Sequence, residues 1–273
     1  MRKNTLKEIW ARGGAVLNGW CSIPSSFSAE IMAHQGFDSI TIDLQHGLVG
    51  YEDAVRMLQA VSTTPVIPLT RVPWKDPGLL MKMLDAGSYG VIVPMVNTPE
   101  DAEALVRACK YPPRGFRSFG PIRAKYYGGG ATHGGGDYHH FADEETLVIP
   151  QIETREAIAN LDRILEVPGI AAIYIGPSDL AMALGKEPRK GQNDPEVVAA
   201  RSTILASTQR HGIPAGIHTN SPDVAVEMIG LGFQLTSLQS DDRFLMSKAK
   251  EEVATVREGV QKLQGVRQAQ FSR

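Results

Sequence analysis

A chain of 273 residues that is 42% hydrophobic and 21% charged can bury a sizeable core, and its length suits one α/β barrel as well as two average domains. With 28 Lys and Arg against 30 Asp and Glu the net charge is −2, which excludes a general electrostatic pull toward nucleic acid or an anionic membrane, and no apolar run approaches the ~20 residues of a membrane helix. The expected partner is a small molecule. Two cysteines, Cys21 and Cys109, make neither a metal-spaced pair nor a disulfide framework, and the basic start MRKNTLKEIWARGG lacks the apolar core of a signal peptide. A cytoplasmic location is expected.

Apolar runs of strand length alternate with helix-period segments along the whole chain. The spacing predicts strand 15–21 then helix 28–34, strand 39–43 then helix 51–61, strand 66–70 then helix 77–85, and strand 90–93 then helix 99–110. After an irregular segment come strand 147–152 with helix 154–165, strand 173–175 with helix 195–211, strand 215–218 with helix 222–231, and strand 233–238 with helix 243–263. Eight strand–helix pairs in one chain predict a single-domain (β/α)8 TIM barrel over residues 1–273; an open doubly wound sheet is the other fold such alternation allows. The irregular segment 111–145 carries the run GGGATHGGG and follows the fourth helix, on the side away from the carboxyl ends of the strands. It lacks the preceding strand and following helix of a nucleotide cradle, so His133, His139 and His140 read as solvated loop residues.

Chemistry in such barrels is supplied at the carboxyl ends of the strands. There the sequence delivers Trp20 from strand one, Asp43 and His46 from strand two, Arg71 from strand three, Gln151 and Glu153 from strand five, Ser178 and Asp179 from strand six, and His218 from strand seven. Glu153 and Asp179 stand one strand–helix–strand step apart, so parallel neighbouring strands would set them about 5 Å apart, close enough to share one hard cation. All-oxygen ligation favours Mg²⁺ or Mn²⁺ over structural zinc. As helix N-caps the same two acids would need no metal. The Gly176-Pro177-Ser178-Asp179 turn opens a helix whose free amides at Ser178 and Asp179 fit a carboxylate. A 2-oxo acid chelated through carboxylate and keto oxygens follows from that arrangement, with Arg71 stabilising the enolate oxygen unless it serves only a surface ion pair.

His46 lies three residues beyond Asp43, so a turn would bring carboxylate to imidazole and make a general base; in isolation a loop histidine is more often inert. Lys75, Lys82, Lys110 and Lys125 fall in loops or helices, which disfavours a Schiff-base route. Metal-assisted enolisation remains.

The segments AEIMAHQGFDSITIDLQHG, RVPWKDPGLLMKMLDAGSYGVIVPMV, ACKYPPRGFRSFG, QIETREAIANL and IGPSDL occur in the order seen in the class II, metal-dependent pyruvate aldolases of the HpcH/HpaI aldolase family, which the chain resembles over nearly its whole length. The resemblance implies reversible cleavage of 4-hydroxy-2-oxo acids to pyruvate, or an analogue such as hydroxypyruvate, and an aldehyde. It implies metal ligation by Glu153 and Asp179 (Mg²⁺ or Mn²⁺, with Co²⁺ possible), contact of Arg71 with the pyruvate oxygen, proton movement by His46 with Asp43, and a pocket lined by Trp20 and Gln151. It further implies a homohexamer, a trimer of dimers, in which the last helix is exchanged and Asp85 reaches a neighbour's site. Gln45, Ser178 and His218 stand where many members carry Glu, Ala and an apolar residue. His218 then points to a small polar aldehyde. The rival readings are an acyl-CoA lyase or oxaloacetate decarboxylase using the same enolate, and a non-catalytic keto-acid-binding barrel.

Overall fold

The structure, a computed structural model, describes residues 2–128 and 138–271. Eight parallel strands, β1 (Val16–Cys21), β2 (Ser39–Asp43), β3 (Ile67–Arg71), β4 (Gly90–Val93), β5 (Leu147–Pro150), β6 (Ile173–Ile175), β7 (Ala215–His218) and β8 (Leu235–Ser240), hydrogen-bond in the order β5-β4-β3-β2-β1-β8-β7-β6. The two outer strands of that order meet through a bridge between Gln151 and Tyr174, with the Ile152 amide donating to Tyr174 O at 2.8 Å, so the sheet closes into a barrel rather than an open doubly wound sheet. β5 and β6 therefore share the barrel's least-bonded seam, and the residues just beyond them, Glu153 and Asp179, flank it.

Helices alternate with the strands: α1 (Thr5–Ala11), α2 (Ser26–Ala33), α3 (Tyr51–Val61), α4 (Pro77–Asp85), α5 (Pro99–Cys109), α6 (Tyr138–Glu145), α7 (Arg155–Ala159), α8 (Leu161–Leu165), α9 (Pro177–Ala183), α10 (Pro195–His211), α11 (Pro222–Leu231) and α12 (Asp241–Phe271). Their starts follow side-chain caps: the Asp76 carboxylate accepts from the Leu79 amide, Thr98 from Asp101 and Ser221 from Val224, each cap being followed by a proline in the first turn. Along the strands one set of side chains, including Ile40, Ile42, Val91 and Val93, packs outward against the helices, while Val16, Ile67, Leu69, Ile92, Leu147, Ile149 and Leu235 fill the barrel. Helix α1 lays Leu6, Ile9 and Trp10 against this interior cluster at the amino ends of the strands. No helix among the described residues is long and apolar enough to cross a membrane.

Two expectations are corrected, and the N-cap alternative for the two acids is set aside. The helix expected over 154–165 is two short helices interrupted at Asn160, whose side-chain amide donates to Asn97 O at 3.0 Å and which is itself the cap of α8. His139 and His140 lie in α6 rather than in a loop, with His139 edge-on to Phe119 at 5.7 Å; His133 and most of the glycine run lie outside the described residues. Neither acid of the expected metal pair is an N-cap: Thr154 caps α7, and Asp179 sits inside the first turn of α9 behind Gly176.

The described part of 111–145 stays at the amino end of the barrel. The Asn4 side chain donates to Glu145 O at 2.9 Å and Lys7 to Glu144 O at 2.7 Å, joining α6 to the first helix. Both cysteines are buried and unpaired, and burial pushes the Cys109 thiol up to about 12, so it packs as a neutral side chain.

Candidate active site

A cavity of about 980 Å³ opens at the carboxyl ends of the strands. Trp20, Asp43, His46, Arg71, Gly176, Ser178, Asp179 and His218 line it, while Gln151 and Glu153 sit fully buried behind Gly176.

Asp43 and Arg71 are register partners on β2 and β3, and their ion pair is two-pronged: Arg71 Nε donates to Oδ1 at 2.9 Å and Nη2 to Oδ2 at 2.6 Å. Trp20 Nε1 adds a third donor at 3.2 Å, and the amides of Gln45 and His46 cap Oδ1 at 3.0 and 3.3 Å. Burial alone would raise the Asp43 carboxyl, but the hydrogen bonds and charge of Arg71, with Trp20 and the Gln45 amide, outweigh it and hold the group below its ordinary value. The expected pairing of this carboxylate with the His46 imidazole is corrected: Asp43 meets His46 through the backbone amide, because the cross-strand arginine claims the oxygens first. His46 itself is exposed at the cavity wall, on a bend that Gly47 packs against Asp43 O. The Arg71 guanidinium lies 4.8 Å from the Trp20 ring, and its Nη1 makes no hydrogen bond among the described residues.

At the seam, Glu153 Oε1 accepts the Met95 amide at 2.9 Å and Oε2 accepts the Gln151 side-chain amide. Met95 has a left-handed backbone, φ 57°, rare for a side chain of its size and used here to aim an amide at the acid. A Cβ added to Gly176 would fall 2.6 Å from Glu153 Oε2 and 3.5 Å from Asp179 Oδ2, so both carboxylates face the space that glycine leaves. Among the described residues neither acid has an ion-pair partner, and Gln151 Oε1 is buried without a donor. Burial pushes the Glu153 carboxyl up, the Met95 and Gln151 hydrogen bonds pull it partly back, and the Asp179 charge pushes it up again. One buried and one half-buried carboxylate that share a space without an ion-pair partner fit a hard divalent cation.

His218 packs edge-on to Trp20 at 5.1 Å, with Nδ1 3.4 Å from the Tyr174 hydroxyl, which donates to Ser237 Oγ at 2.5 Å. Burial first, then the Arg71 charge, pushes the imidazole down to about 4, so it stands neutral at pH 7. Asp85 is remote from the cavity within one chain: it pairs with the buried Arg117 at 2.7 Å. Sequence reasoning missed Met95, whose role is a backbone one, and the polar wall of Arg189, Gln192, Arg243 and Lys250, which comes from outside the strands.

An eight-stranded barrel that gathers Asp43, Glu153, Asp179, Arg71, His46 and His218 around one cavity at its carboxyl rim has the architecture of a barrel enzyme. A family model described as HpcH/HpaI aldolase/citrate lyase matches residues 20–243. The chain is 37% identical over 255 residues, 93% of its length and 99% of the relative's, to a hydroxypyruvate/pyruvate aldolase of Rhizorhabdus wittichii. It is 33% identical over 252 residues, 92% of its length and 94% of the relative's, to a 4-hydroxy-2-oxo-heptane-1,7-dioate aldolase of Escherichia coli. A solved HpcH/HpaI aldolase/citrate lyase family protein from Burkholderia cenocepacia superposes with a TM-score of 0.86 at 30% identity, over 93% of this chain and all of that one. The chain belongs to the HpcH/HpaI aldolase/citrate lyase family, and it is an aldolase.

Proposed function

We propose that the protein is a metal-dependent pyruvate aldolase that cleaves 4-hydroxy-2-oxo acids to pyruvate, or hydroxypyruvate, and an aldehyde. The observation that carries this is the carboxylate pair at Gly176, unpaired with any cation among the described residues and on the same rim as Arg71, which Asp43 fixes at the end of β3, two strands from β5. Glu153 and Asp179 would hold Mg²⁺ or Mn²⁺, with Co²⁺ a substitute; Gln151 orients Glu153. Bound there, the ion supplies Lewis acidity that polarises a keto group and makes C3 acidic. The first-turn amides of Ser178 and Asp179, which have no intrahelical acceptor, orient the substrate carboxylate. Arg71, immobilised by Asp43 through Nε and Nη2, presents Nη1 to the keto oxygen and donates a hydrogen bond that strengthens as enolate charge develops. His46 moves the proton of the C4 hydroxyl as the C3–C4 bond breaks or forms.

Two further proposals concern assembly. The exposed apolar residues of α12, Leu245, Met246, Val253, Val256, Val260 and Leu263, support a homohexamer that exchanges this helix, and Asp85 would then act toward a neighbour's site. The function is tested by aldol addition of pyruvate or hydroxypyruvate to a short aldehyde. Activity is expected to vanish in EDTA and to return with Mg²⁺, Mn²⁺ or Co²⁺; activity indifferent to chelation removes the proposal.

A further inference from the structure

The barrel interior is not wholly apolar. Asn18, Ser39, Thr41 and Ser237 are fully buried on the neighbouring strands β1, β2 and β8, where apolar side chains would pack without needing partners. All four belong to one chain of hydrogen bonds. The hydroxyls of Ser39 and Thr41 donate to Asn18 Oδ1 at 2.7 and 3.1 Å, which fixes the orientation of that amide and sends its Nδ2 to Ser237 Oγ at 2.8 Å. Ser237 Oγ also accepts the Tyr174 hydroxyl at 2.5 Å. From Tyr174 the chain reaches the cavity wall at His218 Nδ1, 3.4 Å further on.

Each link decides the next. With its proton committed to Ser237, the Tyr174 oxygen has only lone pairs to offer, so the proton between it and His218 is carried by Nδ1. A neutral imidazole has one ring proton, and Nε2 is then bare. Burial, followed by the Arg71 charge, keeps His218 neutral at pH 7, and burial pushes the Tyr174 phenol up, so both groups hold these states at neutral pH. The rings are held as well: Trp20 stacks on Tyr174 at 5.8 Å and meets His218 edge-on at 5.1 Å. A Cβ on Gly216 would fall 2.7 Å from the Tyr174 ring, so that glycine leaves the room the ring occupies. Nε2 has no hydrogen-bond partner among the described residues, and the ring lines the cavity. On a rim where Arg71 and first-turn amides supply donors, Nε2 is an uncharged acceptor.

Resting on the aldolase reading for the ligand, we propose that Tyr174 is a positioning residue that locks His218 in the Nδ1–H tautomer, and that the bare Nε2 accepts a hydrogen bond from a substrate hydroxyl other than the one that reacts. That hydroxyl belongs to the 2-oxo acid, as in hydroxypyruvate, or to the aldehyde; the recognition is the same in both. The buried relay from Ser39 and Thr41 through Asn18, Ser237 and Tyr174 is what makes the acceptor dependable, since a ring free to exchange tautomers would offer a donor as readily.

The tautomer is read by two-bond ¹H–¹⁵N correlation NMR on protein with ¹⁵N-labelled histidine, the His218 signals being those lost in His218→Phe. Wild-type protein should show a proton-free Nε2, and Tyr174→Phe should lose that preference; a protonated Nε2 in the wild type, or the same tautomer in both proteins, overturns the lock. Kinetics test the acceptor in two arms: hydroxypyruvate against pyruvate with one aldehyde, and glycolaldehyde against propanal with pyruvate. In at least one arm the kcat/KM ratio of the hydroxylated to the plain compound should fall about 10-fold in His218→Phe and several-fold in Tyr174→Phe, relative to wild type. The responding arm tells which substrate carries the hydroxyl, and ratios unchanged in both arms overturn the acceptor role. Exchange of pyruvate C3 protons by the wild-type protein without any aldehyde checks the aldolase reading separately. Its absence would remove that reading and the acceptor role with it, while the NMR result still decides the tautomer.

Discussion

Around Asp43 the protein itself satisfies the charge, whereas around Arg189 and Lys250 it leaves charge facing open space. The inner carboxylate takes two hydrogen bonds from Arg71, one from Trp20 and two from backbone amides, with side-chain exposure of 2% for Asp43 and 12% for Arg71. The outer cations come from a turn and from one helix face, and Arg189 and Lys250 have no partner among the described residues. The inner half is thus part of the folding core as well as of the site, and its geometry is fixed before any ligand arrives. The outer half contributes little to folding. Glu153 and Asp179 are the exception within the inner half, since there two carboxylates face one space with neutral donors on Glu153 but no ion-pair partner among the described residues.

Substitutions should separate the halves by what each one disturbs. Asp43→Asn leaves Arg71 buried and unbalanced, and a cost of about 3–5 kcal/mol in denaturant unfolding is expected; a loss under 1 kcal/mol would mean the pair does not hold the inner half together. Arg71→Lys keeps a positive charge but cannot grip Asp43 at two points while donating outward, so kcat/KM for aldol cleavage should fall by roughly 10²–10³-fold with the unfolding midpoint much less affected.

His218 marks the border and gives a pH signature. Its folded-state value of about 4 lies below the ordinary 6.5, so the unfolded chain binds the proton first and stability falls as pH drops from about 6.5 toward 4. Between pH 7 and pH 4, His218→Phe should remove roughly 2–3 kcal/mol of that loss; an unchanged acid limb would show that the imidazole titrates freely. At the bottom of the scale, Arg189→Ala should change unfolding free energy by less than about 0.5 kcal/mol, as expected of an exposed cation with no ion pair.

Much of the scaffold was legible in the chain. Strand 39–43, strand 90–93 and helices 51–61, 77–85, 195–211 and 222–231 have the limits read from apolar runs and helix-period segments. The barrel followed from counting eight alternations. What the sequence hides are relations across the barrel: chain proximity pairs Asp43 with His46, while the parallel register sets it opposite Arg71. The break at Asn160 and the left-handed Met95 depend on tertiary hydrogen bonds to Asn97 and Glu153 that no local pattern announces. The cationic wall was invisible for a similar reason, since Arg189 and Lys250 look like ordinary surface residues until the turn after α9 and the start of α12 are brought to the same opening.

The carboxylate pair at Gly176 is central to the proposed chemistry, and pyruvate alone can test it. Exchange of the pyruvate methyl protons with D₂O, followed by NMR, should require a divalent ion in the wild-type protein. In Glu153→Gln, a variant of nearly the same shape, it should fall by at least ~10³-fold at any concentration of Mg²⁺ or Mn²⁺. Exchange at the wild-type rate in that variant, or in wild-type protein stripped of metal, would contradict the account.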